Sequence, residues 1–292
     1  MSRKFLFFIF IVYLFTAIFL YRPVLNSFFV SDDFDWVARA QNMPLVLEKL
    51  FLRNAEGTRD NGVYRPITIF SFWLNFKING LAPFGYHFVN VILHLGSAFL
   101  LFWLVWQLSG RKEHRLAFLA GLFFLIFPNH PEAVSWISGR NDALAVFFFL
   151  LSFNFYVLFR TSARYLWFGM SSLIFALAIF SKEMAASLPI ILLVYELMWQ
   201  KNTSWKKKII LILPGAAILA LYILLRQFAT GLLLKSYSNV HSSFSIFSAT
   251  EVFIRGFLSH FISSAQIWIT NGLSGHWFLF ISLLALVAWL LW

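Results

Sequence analysis

Residues 5–21, Phe5-Leu6-Phe7-Phe8-Ile9-Phe10-Ile11-Val12-Tyr13-Leu14-Phe15-Thr16-Ala17-Ile18-Phe19-Leu20-Tyr21, form an unbroken apolar run preceded by Arg3 and Lys4. No small-residue cleavage site follows it, so the run reads as an uncleaved first span or signal anchor with a cytoplasmic amino terminus. Similar runs recur near Tyr86 to Leu108, Leu116 to Phe127, Ala143 to Phe159, Tyr165 to Phe180, Leu188 to Trp199, Ile209 to Leu225, Val252 to Ile269 and Trp277 to Trp292. Several are short for a hydrocarbon core of about 30 Å, which needs roughly 20 residues, and are expected to extend into the flanking turns.

The composition agrees with that pattern. Of 292 residues, 60% are hydrophobic and only 12% charged, and the mean hydropathy is +0.77; no soluble core needs so much apolar surface. The expectation is an all-α polytopic membrane protein with about eight or nine transmembrane helices. It forms a single membrane domain over residues 1–292, with a first outer loop at about residues 22–85. The chain contains no cysteine, which excludes disulfides, thiolate metal sites and a cysteine nucleophile without assigning a compartment.

The formal charge of +11 would suit nucleic acid, but the basic residues lie in short clusters between apolar runs, which membrane topology explains better. Alternating spans from a cytoplasmic start puts Arg111 to Arg115, Arg160 to Arg164, and Lys201 with Lys206 to Lys208 inside. The same alternation puts Asp32, Asp33, Asp35, Glu48, Glu56, Asp60, Glu132, Asp142, Glu183 and Glu251 outside or at the outer boundary, leaving Glu113 and Glu196 toward the cytoplasm. The acidic chemistry therefore belongs to the outer face.

Four outer segments carry it. The first holds the adjacent pair Asp32-Asp33, which can polarise a nucleophile, coordinate a divalent cation or share a proton; with Ser31 the pair equally suits a helix N-cap. After it, Trp36 to Ala40 and Pro44 to Leu52 read as short amphipathic helices in the interface. The second, Tyr64-Arg65-Pro66, leads into Tyr86-His87 with Asn90 and His94 on one helical face, lining a polar cavity or bonding between helices. The third, residues 128–142, packs His130, Glu132, Arg140 and Asp142 into one turn broken by two prolines. His130 and Glu132 make only a weak metal signature. The fourth, Ser181-Lys182-Glu183, embeds two charges that must face a cavity or pair with each other. With Arg226, the cations Arg65, Arg140 and Lys182 make a face able to grip an anionic, lipid-linked group.

In this order the motifs resemble those of the GT-C superfamily of glycosyltransferases. The acidic pair, Tyr-Arg-Pro, Tyr-His-x-x-Asn-x-x-x-His, the long third-turn motif from Pro128 to Asp142 and Ser-Lys-Glu fall within roughly residues 1–200. The nearest branch is the O-mannosyltransferase-like group that in animals carries tetratricopeptide repeats. The resemblance implies an inverting transferase that moves mannose or a similar hexose from a polyprenyl-phosphate carrier to a protein or glycan acceptor on the non-cytoplasmic face. On this chain it assigns Asp32, with Asp33, to the catalytic carboxylate, and Arg140 and Lys182 to the carrier phosphate. Glu132, Asp142 and Glu183 would orient sugar hydroxyls or those cations. A bacterial inner membrane is the expected setting, and a divalent cation is a candidate cofactor. No tetratricopeptide repeats follow, and the sequence stops within an apolar run at Trp292, so a short or truncated homologue is expected. A lipid-linked-sugar flippase and a catalytically inert scaffold are the alternatives.

Overall fold

In a hydrocarbon slab no water satisfies the backbone, so apolar runs fold as helices that bond internally. The computed structural model describes residues 3–42, 51, 63–127 and 130–231, and the described elements are helices throughout. They are α1 (Arg3–Tyr21), α2 (Asp33–Asn42), α3 (Pro66–Asn79), α4 (Pro83–Leu108), α5 (His114–Ile126), α6 (His130–Ser135), α7 (Arg140–Ser162), α8 (Tyr165–Ser181), α9 (Leu188–Trp199) and α10 (Trp205–Thr230). Single 3-10 turns cover Arg22–Asn26, Ile137–Gly139 and Glu183–Ser187.

Among the described residues, four helices are long and apolar enough to cross a membrane: Arg3–Asn26, Pro83–Leu108, Ile137–Ser162 and Trp205–Thr230. The expected spans at α5 and α8 are shorter apolar helices, and α9 has 12 residues. The expected spans at residues 252–269 and 277–292, the second interfacial helix apart from Phe51, and the acids Glu48, Glu56, Asp60 and Glu251 lie outside the described residues. The fold is that of a helical membrane protein. Helix α3 was not among the expected elements; it starts on Pro66, whose fixed φ suits a first helical turn.

The chain forms two units, Met1–Ile126 with Glu132–Lys235, and Phe127–Pro131 with Ser236–Trp292. In the second unit, the rings of Phe127 and His130 lie 5.3 Å apart. In the first, α7 and α8 pack as a hairpin, α4 lies against both α5 and α7, α2 covers α3, and α10 packs on α8 and α9.

Polar pairs bind these helices where lipid offers no partner. Tyr13 on α1 donates to the Phe118 carbonyl on α5 at 2.7 Å. Ser152 and Ser171 exchange hydroxyl-to-carbonyl bonds of 2.7 and 2.9 Å across the α7–α8 hairpin. Gln107 on α4 reaches Asn154 on α7 at 2.7 Å.

Helix α7 carries an ion pair near each end. Asp142 meets Lys182 at 2.6 Å, and Arg160 meets Glu196 at 2.8 Å. At 1.5 Å per residue the two positions are about 27 Å apart along the axis, close to the thickness of the hydrocarbon.

Candidate active site

The acidic pair starts α2, and the structure separates its two members. Asp32 accepts the first helical bond through its carbonyl, from the Trp36 N–H at 3.2 Å, and its side chain is exposed with a single contact to the Ser31 hydroxyl at 3.2 Å. Ser31 adopts a φ of 49°, a left-handed turn that swings the chain into the helix. Asp33 faces inward and is fully buried. Its Oδ2 accepts the Val30 N–H at 3.0 Å. Its Oδ1 accepts the Ser138 N–H at 2.8 Å and the Ser138 hydroxyl at 2.6 Å. The buried carboxylate is thus satisfied by three donors, which is the condition for burying one at low cost.

Ser138 belongs to the third outer turn, and that turn is itself held from below. Asn90 on α4 points its amide nitrogen at the carbonyls of Val134, Trp136 and Ile137, 3.0–3.3 Å away. Its amide oxygen accepts from Arg140 Nε at 2.9 Å. Arg140 also donates to Asn75 on α3 at 2.8 Å and to the Tyr86 carbonyl at 2.9 Å, with its guanidinium 4.3 Å over the Phe72 ring. Arg140 is fully buried. It was expected at the carrier phosphate; its bonds make it a strut that ties α3 and α4 to its own helix α7, because those two helices offer oxygen acceptors and an aromatic face to one planar fork.

The fourth outer segment joins different elements. Lys182 donates to both oxygens of Asp142 at 2.6 and 2.7 Å. Arg65 holds Glu183 through two bonds, 2.7 and 3.1 Å long. Of the two alternatives for these charges, the local pair of Lys182 with Glu183 does not form. Lys182 is extended, with φ −158° and ψ 139°, so successive side chains diverge. Burial pushes the Glu183 carboxyl up, but the bonds and charge of Arg65 outweigh it and hold the carboxyl below its ordinary value. Arg226 on α10 is half-buried; its charge, with those of Arg65 and Glu183, acts on the Tyr222 hydroxyl. Thr68 adds a buried bond to the Ser181 carbonyl at 3.0 Å, tying α3 to the end of α8.

Directly beside this charged segment lies a cavity of about 300 Å³, lined by Leu101, Phe124, Val146, Phe149, Leu150 and Met184 among others. Its wall is almost wholly apolar. Val146 stands one helical turn from Asp142, and Met184 follows Glu183, so ionic and apolar surfaces adjoin.

His130 falls in the second unit, and the side chain of Glu132 lies outside the described part. His87 bonds the Ser27 carbonyl at 3.1 Å and His94 the Leu125 carbonyl at 3.3 Å, so both link elements. Among the described residues no three His, Asp or Glu side chains converge as a metal site. Asp33, filled by N–H and O–H donors, does not fit a divalent cation.

Sequence reasoning missed Ser138 and Asn75. The one lies at an unremarked position of the third-turn motif and the other on the unexpected helix α3.

Comparison with known proteins gives this arrangement a family. The dolichyl-phosphate-mannose-protein mannosyltransferase family matches residues 65–226, more than half of the chain. A protein O-mannosyl-transferase of Caenorhabditis elegans is 32% identical over 152 residues, 47% of this chain and 21% of the relative. The Mus musculus protein O-mannosyl-transferases TMTC1 and TMTC2 are 43% and 45% identical over 93 and 94 residues, each 32% of this chain and 10% and 11% of the relatives. The match therefore spans about a tenth to a fifth of the length of these relatives. The family match at residues 65–226 reaches the second, third and fourth polar segments, and it agrees with the O-mannosyltransferase-like branch of the GT-C enzymes that the motifs resemble: the chain belongs to the dolichyl-phosphate-mannose-protein mannosyltransferase family.

Proposed function

We propose that the chain transfers mannose or a similar hexose from a polyprenyl-phosphate carrier to a protein or glycan acceptor, on the non-cytoplasmic face of the membrane and with inversion. The observation that carries this reading is the division within the acidic pair. Asp33 is buried with both oxygens engaged, while Asp32, one residue away, is exposed at the surface.

In the proposed step the acceptor hydroxyl attacks the anomeric carbon and the bond from that carbon to the phosphate oxygen breaks. The hydroxyl proton passes to Asp32, and the carrier leaves as a phosphate monoester. The leaving phosphate gains one negative charge, so it needs cations more than it needs an acid. Lys182 and Arg65 supply them in this reading, with Asp142 and Glu183 orienting both. Arg226 adds a further cation, and Arg140 keeps the frame. The adjoining apolar cavity suits the first units of the prenyl chain. The names of the relatives support mannose and a protein acceptor, and the basic clusters support the orientation. The bacterial inner membrane receives no support from these relatives, which are animal proteins.

The test is transfer of radiolabelled mannose from a polyprenyl-phosphate donor to a Ser/Thr peptide by the chain reconstituted in proteoliposomes. Asp32→Asn is expected to abolish transfer while the protein stays folded; full activity in that variant would sink the assignment.

A further inference from the structure

A carboxylate acts as a base only if its position is fixed relative to the hydroxyl it serves. Asp32 lies at the exposed N-terminus of a ten-residue helix, and among the described residues its side chain bonds only to Ser31. What fixes it lies one residue on and 105 positions away in sequence: Ser138 places two donors on one oxygen of Asp33.

The arrangement around Ser138 is built for this. Its hydroxyl and backbone N–H point the same way, at 2.6 and 2.8 Å from Asp33 Oδ1, and it is buried. Its carbonyl accepts from Asn141 at 2.7 Å, so its backbone is held on both sides. The turn that carries it hangs from Asn90, and Asn90 from Arg140. A continuous chain of buried hydrogen bonds therefore runs from the α3, α4 and α7 frame, through Ser138, to the first turn of α2. Asp33 is the point where this frame grips the acidic loop.

We infer that Ser138 is a positioning residue for sugar transfer: it clamps Asp33 and thereby fixes the direction of the Asp32 carboxylate at the outer face. The inference rests on the reading of Asp32 as the catalytic base. It assigns Ser138 no contact with either substrate.

Two measurements on the full chain in nanodiscs test it. The first is hydrogen exchange, which reads the clamp without any activity. Ser138→Ala keeps the backbone donor and removes the hydroxyl, and is expected to speed exchange in residues 33–42 while the amides of α7 and α8 stay as protected as before. Unchanged exchange in α2, or exchange raised throughout the chain, overturns the clamp. The second is steady-state transfer. Ser138→Ala should lower kcat by about ten- to a hundredfold with the KM for the polyprenyl-phosphate donor unchanged, the scale expected for a displaced catalytic group. Ser138→Thr, which keeps the hydroxyl, should restore most of the rate. A fall confined to KM, or a Thr variant as slow as Ala, overturns the positioning role. Full activity in Asp32→Asn would instead remove the catalytic reading and leave the exchange result standing.

Discussion

Arg65 and Glu183, 118 positions apart in sequence, meet through two hydrogen bonds of 2.7 and 3.1 Å and join the start of α3 to the turn after α8. The Glu183 carboxyl is pulled below its ordinary value of 4.5, because Arg65 outweighs the upward push of burial. A carboxyl depressed in the folded state stabilises the fold at pH above its unfolded value, and that stabilisation is lost as the pH falls through the folded value. Glu183→Gln should therefore lower the unfolding temperature near neutral pH. The gap from the unmodified chain should close below about pH 4.5, and a gap that persists at lower pH contradicts the pair.

Lys182 pairs with Asp142, and Met184, two residues on, lines the apolar cavity. Lys182→Met keeps the length of the stem and removes the charge. It should weaken binding of the polyprenyl-phosphate donor by about tenfold to a hundredfold, the usual range for one charge-assisted hydrogen bond. Binding to prenyl-phosphate-doped nanodiscs measures this directly. Asp142→Asn should weaken binding less than Lys182→Met, because the ammonium keeps its charge and loses only the carboxylate that orients it.

The cavity makes a separate prediction. Val146 lines it from α7, and Val146→Trp would fill much of about 300 Å³ with a ring. Transfer from a long-chain polyprenyl donor should fall sharply, while a donor with a short water-soluble tail should react nearly as before. Equal losses for both donors would show that the cavity does not receive the chain.

Much of the helical frame is legible in the sequence because hydrophobic runs carry their own signal. Residues 83–108 and 205–230 each extend a predicted span by a few residues, as backbone satisfaction in lipid requires. Helix α3 was not legible. It opens on a proline and carries Asn75 and Lys77, so no long apolar run marks it, and its reason for being helical is its packing under α2. The charged residues of these connecting segments could be named from their sequence neighbourhood, but their partners could not. Asp142 and Lys182 are 40 positions apart, and nothing local marks an extended Lys182 that sends it and Glu183 to different helices. Arg140 was legible as important, but its acceptors on α3 and α4 were not. A buried arginine and a phosphate-binding arginine have the same letter, and only the acceptors around it distinguish them.

That buried role has a stability consequence. Arg140→Met removes four donors' worth of bonding to Asn75, Asn90, Tyr86 and the more distant Ser71 carbonyl, leaving buried oxygens without partners. The cost should be about 3 kcal/mol. Arg140→Lys should recover little of it, since an ammonium cannot reach the acceptors on both α3 and α4 from one point. Thermal unfolding in detergent checks both variants, and a Lys variant as stable as the unmodified chain would refute the strut.

Gly139 follows Ser138 and meets the backbone of Ala133 so closely that a side chain has no room. A Cβ built there would lie 2.5 Å from the Ala133 carbonyl oxygen and 2.8 Å from its carbonyl carbon. Its φ of −62° is ordinary, so the requirement is for space and not for an unusual backbone conformation. The neighbour is main chain, which cannot swing aside as a flexible side chain does, so Gly139→Ala must displace the third outer turn. Because Ser138 rides on that turn, displacement should loosen its two bonds to Asp33 and slow sugar transfer at least as much as Ser138→Ala. The distinguishing measurement is the double variant Ser138→Ala/Gly139→Ala. If both changes act through the same clamp, the pair should be little slower than Gly139→Ala alone, whereas independent effects would multiply.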